Sequence, residues 1–221
     1  MRALFNRIAG RYDLLNGVMS AGLHHGWRRR AADLAALAPG DRVLDVAAGT
    51  GDLTIELARR VGPAGEAIGC DFSEDMLTLA RRKAPGLRFE HGDALALDYA
   101  DGEFDAATVG FAARNFSDLD RGLAEMVRVV RPGGRVVILD FTTPRRAPLS
   151  TFFSLWFDRA VPLLGRLVGQ PKAYEYLARS VRRFPPPHEL AAAMERSGLS
   201  NIQYIITGGG IVTLHVGERA A

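Results

Sequence analysis

The chain has a single cysteine, Cys70, only two lysines, Lys83 and Lys172, and no apolar run long enough to cross a bilayer. One thiol excludes an internal disulfide framework and fits a reducing compartment. Its place in an apolar run marks it as a buried, inert side chain. No window approaches the roughly 18 consecutive apolar residues of a membrane span. Phe5 to Arg11 is amphipathic without an apolar core, so no secretory leader is expected there. Arginine supplies 26 of the 28 basic side chains, yet the net charge is only +3. A pI of 9.3 is therefore weak support for a polyanionic partner. The runs Arg28-Arg29-Arg30, Arg145-Arg146 and Arg182-Arg183 could meet phosphates or anionic headgroups. Each reads first as a solvated face, and nucleic acid is not expected as a partner. What is present is an ordinary globular composition, 48% hydrophobic and 24% charged over 221 residues. That length suits one α/β domain with an excursion and is short for two cores.

The most informative stretch runs from Val43 to Gly51. An apolar run, read as a buried strand over roughly 42–47, ends in Gly49-Thr50-Gly51 and opens a helical pattern at 52–61. This is the strand–turn–helix entry of a nucleotide-binding sheet. A dinucleotide site wants a third glycine where Thr54 stands, and the carboxylates of Asp45 and Asp52 beside the turn would repel a pyrophosphate. They suit a ligand carrying a sulfonium and an ammonium, which points to S-adenosylmethionine (SAM). Two further strand ends agree. Strand 66–71 finishes in Asp71, twenty residues after Gly51, where an acid can accept from both ribose hydroxyls. Phe72 follows it. Strand 87–91 runs into Gly92-Asp93-Ala94, where Asp93 could accept from an adenine amino group and the Ala94 N–H could face a ring nitrogen. Each acid alone could simply start a turn or cap a helix; all three at successive strand ends favour a ligand site.

The rest of the chain continues the alternation of parallel βαβ units. Helical spacing is expected over Phe5 to Leu15 and Trp27 to Leu37. Ser73 caps a helix running to about Ala84, Phe104 to Val109 is a strand, and Ser117 caps the next helix. Arg131-Pro132-Gly133-Gly134 reads as a turn before a strand from Arg135 to Phe141. A helix from His188 to Ser197 and strands at about 200–207 and 211–216 close the chain. The expected fold is α/β: a doubly wound, Rossmann-like, seven-stranded sheet of the class I SAM-methyltransferase type, one domain over 1–221. A helical arm occupies 1–38, and an apolar excursion, read as a lid, occupies 144–184. The lid's large apolar residues, among them Phe152, Phe153, Trp156 and Phe157, either pack on the sheet, or wall a hydrophobic acceptor pocket or touch a bilayer surface.

Several segments resemble a known family over nearly the whole chain. Phe5-Asn6-Arg7-Ile8-Ala9-x-Arg11-Tyr12-Asp13-Leu14-Leu15-Asn16, Met19-Ser20-x-Gly22-Leu23-His24-x-x-Trp27-Arg28, Phe111-x-x-Arg114-Asn115, Tyr174-x-Tyr176-Leu177-Ala178-x-Ser180-Val181-Arg182-x-Phe184-Pro185 and Gly209-Gly210-Ile211-Val212-x-Leu214-His215 are similar to the UbiE/MenG quinone-biosynthesis C-methyltransferases. The resemblance implies methyl transfer from SAM to a ring carbon of a prenylated quinol, demethylmenaquinol or a methoxy-polyprenyl-benzoquinol. It places Thr50, Asp71, Asp93 and Ala94 at the cofactor. Where many members carry Ser-Phe-Gly, this chain has Gly110-Phe111-Ala112, which removes one hydroxyl near Gly110 and restricts the backbone at Ala112.

Methylation at carbon needs an electron-rich ring, so the acceptor is the reduced quinol, preferably as phenolate. Alignment, phenolate stabilisation and proton removal are then the tasks. Arg114, just beyond the fourth strand, is placed to hold a quinol oxygen anion, with a structural ion pair as the alternative, and Asn115 to orient the ring or a water. His24 and Tyr12, from the arm, complete the catalytic candidates: His24 is either the natural base near neutral pH or a capping or packing residue, and Tyr12 either faces the acceptor or is a core aromatic contact. Cofactor contacts are expected from Asp45, Gly49, Thr50, Gly51, Asp71, Phe72, Asp93, Ala94 and Gly110, and no metal is expected. The expected setting is the cytoplasm, with peripheral contact at the inner membrane face, and a homodimer is the assembly to test for. A soluble aromatic or polyketide acceptor is the alternative for the same cofactor half.

Overall fold

Apolar runs spaced through the chain become the strands of one sheet in the computed structural model, which describes residues 22–144, 176 and 179–220. The expected helix over 5–15, with Tyr12, and most of the 144–184 excursion lie outside the described residues. The strands are β1 (Arg42–Val46), β2 (Glu66–Asp71), β3 (Arg88–His91), β4 (Phe104–Gly110), β5 (Val130–Phe141), β6 (Leu199–Thr207) and β7 (Val212–Arg219). The described helices are α1 (Leu23–Leu34), α2 (Asp52–Val61), α3 (Glu74–Lys83), α4 (Leu119–Val129) and α5 (Pro187–Arg196). The sheet has seven strands in the order β3-β2-β1-β4-β5-β7-β6. Neighbours from β3 to β5 are parallel, and β7 runs antiparallel between β5 and β6.

Parallel strands covered on both faces must be apolar nearly throughout, and β1 and β4 meet that demand: Val43, Leu44, Val46, Ala107 and Val109 are fully buried. On one face, Trp27 and Ala31 of α1 and Leu53, Leu57 and Val61 of α2 pack with Leu139 and Leu214. On the other, Leu123 and Met126 of α4 and Leu190 and Met194 of α5 pack on Leu44, Ile68 and Ile138. The single cysteine, Cys70, is buried in this second layer, and burial pushes its thiol pKa up to about 12, which makes it inert.

Three local expectations are corrected. α1 begins at Leu23, one turn before Trp27, following Gly22 at φ 77°. The cap of α4 is Asp118, whose side chain accepts from the Arg121 N–H, and Ser117 lines the cavity described below instead. The expected turn at Arg131 to Gly134 is an irregularity inside β5: pairing with β4 steps from Phe104↔Val130 to Ala106↔Arg135. Gly134 is required there, because a Cβ would lie 2.4 Å from the Asp105 carbonyl oxygen.

Candidate active site

Strand order reverses between β1 and β4, and a cavity of about 280 Å3 opens at the carboxyl ends of the strands at that point. Its floor is the turn after β1. Gly49 and Gly51 adopt left-handed φ values of 57° and 81°. A Cβ on Gly51 would come within 2.7 Å of the Phe89 ring, so glycine is needed to seat α2 against β3. Asp71, at the end of β2, fixes this turn: its Oδ2 accepts from the Gly49 N–H and its Oδ1 from the Ser73 N–H, both at 2.8 Å. Burial raises its pKa, with these N–H donors opposing the rise. Each oxygen keeps acceptor capacity for ligand hydroxyls. The expected cofactor residues Asp45, Gly49, Thr50, Asp71, Phe72, Asp93, Ala94 and Gly110 all line the one cavity, while Gly51 supports it from beneath. Asp93 is exposed and braces its own turn by accepting from the Leu95 N–H at 2.9 Å.

Asp45 sits deeper than the sequence suggests. It is 1% exposed, and its two oxygens accept from the hydroxyls of Thr54 at 2.7 Å and Thr108 at 3.0 Å. Burial pushes its pKa up to about 7, against the lowering effect of the two hydroxyls. Asp52, expected as a second anionic wall, is instead committed to cations: Arg28 Nη1 lies 3.5 Å away and Lys83 Nζ holds the other oxygen. Burial works to raise its pKa, and Arg28 and Lys83 overcome it, leaving it below the usual carboxylate value.

At the acceptor side the catalytic candidates separate. Asn115 lines the cavity and its Oδ1 accepts from the Tyr176 hydroxyl at 3.0 Å. Arg114 does not line it. Its guanidinium is buried against Asp140, 2.7 Å away, also donates to the Phe111 carbonyl, and lies over the Phe141 ring. The Arg114 N–H donates to the same carboxylate at 3.0 Å. The pair thus locks the short 3-10 turn Ala113–Asn115, and the arginine is committed to the frame rather than presented to a ligand. His24 is buried on α1 with its ring 3.9 Å from that of His25, outside the cavity lining. The ligand atoms of His24, His25 and Asp52 do gather within 4.8 Å of one another, but a cation there would face Arg28 and Lys83 on the same carboxylate.

The model of the ubiE/COQ5 methyltransferase family matches residues 1–219. The chain belongs to this family. Among its relatives are demethylmenaquinone methyltransferases of Thermus thermophilus, 45% identical over 98% of this chain and 100% of that one, and of Deinococcus radiodurans, 47% identical over 99% and 92%. The ubiquinone/menaquinone biosynthesis C-methyltransferase UbiE of Teredinibacter turnerae is 39% identical over 98% and 90%. In fold, the chain is similar to a SAM-dependent methyltransferase of Thermotoga maritima, a possible histamine N-methyltransferase, with a TM-score of 0.71, 20% identity and 99% coverage of both chains.

For this ubiE/COQ5 methyltransferase the structure adds residues that sequence reasoning missed. Thr54 and Thr108 buttress Asp45. The second is its β1–β4 register neighbour, a lateral relation with no trace in sequence spacing. Asp140, the partner of Arg114, lies 26 residues further along the chain and is likewise a lateral neighbour from another strand. The replacement of Gly by Ala112 proves harmless: the left-handed residue is Phe111, at φ 58°, while Ala112 sits at φ −132°. The donor set fits SAM. A buried acid stands beside the turn, an acid ends β2 where a ribose would lie, and a cavity with one cation and several carboxylates disfavours a phosphate chain.

Proposed function

We infer that this methyltransferase methylates a ring carbon of a prenylated quinol, demethylmenaquinol in the first place, using SAM as methyl donor. The observation that carries the reading is the cavity at the β1–β4 reversal, lined by Asp45, Asp71 and Asp93, in a chain matched end to end by relatives named for this reaction.

SAM supplies an electrophilic methyl group on a sulfonium. The chain's own residues do the rest. Asp71 and the Gly49 N–H hold the floor in one geometry before any ligand arrives, which limits the entropy cost of alignment. Asp45 stands as a carboxyl whose ionisation a ligand cation would favour. The Tyr176 hydroxyl on Asn115 Oδ1 orients that amide, whose Nδ2 donors suit a phenolate oxygen. Arg114 acts by positioning: with Asp140 it fixes the turn that carries Asn115 to the cavity wall. The prenyl tail implies work at the cytoplasmic membrane face, and a homodimer belongs to the same proposal. No described helix is long and apolar enough to cross a membrane.

The test is incubation with methyl-labelled SAM and chemically reduced demethylmenaquinone, followed by mass spectrometry of the extracted lipid. One label on the naphthoquinol ring is expected. Label on a benzoquinol or a tail-less aromatic alone, with none on the naphthoquinol, would overturn the substrate assignment. Flotation with anionic vesicles and light scattering read the membrane and dimer parts separately.

A further inference from the structure

Among the described residues one cation lines the cavity, and it comes from outside the glycine-rich half of the sheet. Arg28 projects from α1 with its side chain only 8% exposed. Its guanidinium carbon lies 5.4 Å from the centroid of the Phe111 ring, so one side of the group is covered by an aromatic face. Nη1 stands 3.5 Å from Asp52 Oδ2, too far for a well-formed hydrogen bond, and this buried nitrogen has no hydrogen-bond partner. The other Asp52 oxygen is taken by Lys83. Two cations thus share one carboxylate, and although Asp45 also attracts Arg28 through space, Nη1 is left an unsatisfied buried donor, which is unfavourable where water is scarce. An incoming carboxylate would satisfy it, since a guanidinium fork matches a carboxylate's two oxygens. The other charged groups of the described lining, Asp45, Asp52, Asp71 and Asp93, are acids, so among the described side chains Arg28 is the one whose charge attracts a carboxylate.

We propose that Arg28 recognises the α-carboxylate at the amino-acid end of the methyl donor, and so sets the specificity of the site for a donor that carries an amino acid. This rests on the reading of the cavity as a SAM site.

Calorimetry on the full chain tests it with two ligands. S-adenosylhomocysteine keeps the amino-acid end; 5′-methylthioadenosine has the nucleoside and thioether without it. In Arg28→Met the affinity for S-adenosylhomocysteine should fall about 10- to 100-fold, the range for losing hydrogen bonds between charged groups. The affinity for 5′-methylthioadenosine should stay within about 3-fold, which also shows that the variant's site is folded. Arg28→Lys should fall between. An unchanged ratio of the two affinities overturns the proposal: both falling together assigns Arg28 to the frame, and neither falling assigns it to the acceptor or to no ligand. Wild type binding neither compound would sink the SAM reading itself, whereas wild type binding both with an unchanged ratio in the variant sinks only the role of Arg28.

Discussion

Replacing Asp45 with Asn should make the protein more stable at neutral pH and less able to hold a cationic ligand. Asp45 is fully enclosed, and its pKa rises from 3.8 to about 7, chiefly through burial. A folded-state pKa above the unfolded value means that the folded chain holds its proton longer. The associated stability is complete below pH 3.8 and is lost as pH rises through about 7. At about 1.4 kcal/mol per pKa unit the full loss is roughly 4 kcal/mol, of which about 2 to 3 kcal/mol falls between pH 5 and 8. Asn keeps the shape and removes the charge, and the hydroxyls of Thr54 and Thr108 rotate to suit an amide. Urea unfolding of wild type and Asp45→Asn at pH 5 and pH 8 reads the effect as a difference of differences, in which the other titrating groups cancel. The variant should gain about 2 to 3 kcal/mol on wild type between the two pH values. A gap that stays constant within about 0.5 kcal/mol would refute the burial argument. The same variant should bind S-adenosylmethionine more weakly, a trade of affinity for stability.

Three further outcomes follow from the same geometry. Gly51→Ala places a Cβ 2.7 Å from the Phe89 ring at a φ of 81°, and should cost about 2 to 4 kcal/mol in urea unfolding. Asp140→Ala leaves the Arg114 charge buried without its partner and should cost about 3 to 5 kcal/mol, whereas Arg114→Met with Asp140→Leu should recover most of it. His215 is buried and donates through Nε2–H to the Pro187 carbonyl, and burial pushes its pKa down to about 4. Stability should therefore fall by roughly 3 kcal/mol as pH drops from 6.5 towards 4, a slope opposite in sign to that of Asp45; His215→Gln should flatten it, as read by unfolding at intermediate pH values.

The parts of the fold visible in the sequence are those with a local cause. Strand β2 and helix α2 start and stop where apolar runs meet turn glycines, and Ser73 caps α3 by accepting from the Met76 N–H as its residue type suggests. Ser117 and Asp118 offer the same capping chemistry one residue apart, and only the backbone path decides between them. The acids at the ends of β1, β2 and β3 converge because parallel strands in one sheet end on one edge. What stayed hidden depends on lateral neighbours: Thr108 beside Asp45, Asp140 beneath Arg114, and Lys83 on Asp52. Arg114 shows the two readings that sequence leaves open for a charged residue at the ligand edge, a ligand contact or a structural ion pair, and the fully buried Asp140 against it favours the second.

The wall of the donor cavity ends at Ser117: among the described residues, nothing from α4 onward contributes to it. The described lining therefore comes from the amino-terminal half, and downstream residues reach it through supports: Asp140 through Arg114, and Tyr176 through Asn115. Changes beyond Ser117 are expected to retune the cavity wall chiefly at those two positions. A graft joined within β5, between Val136 and Leu139 where the strand is fully buried, would separate Arg114 and Asn115 from these partners, so it keeps the wall only if the incoming half also carries Asp140 and Tyr176.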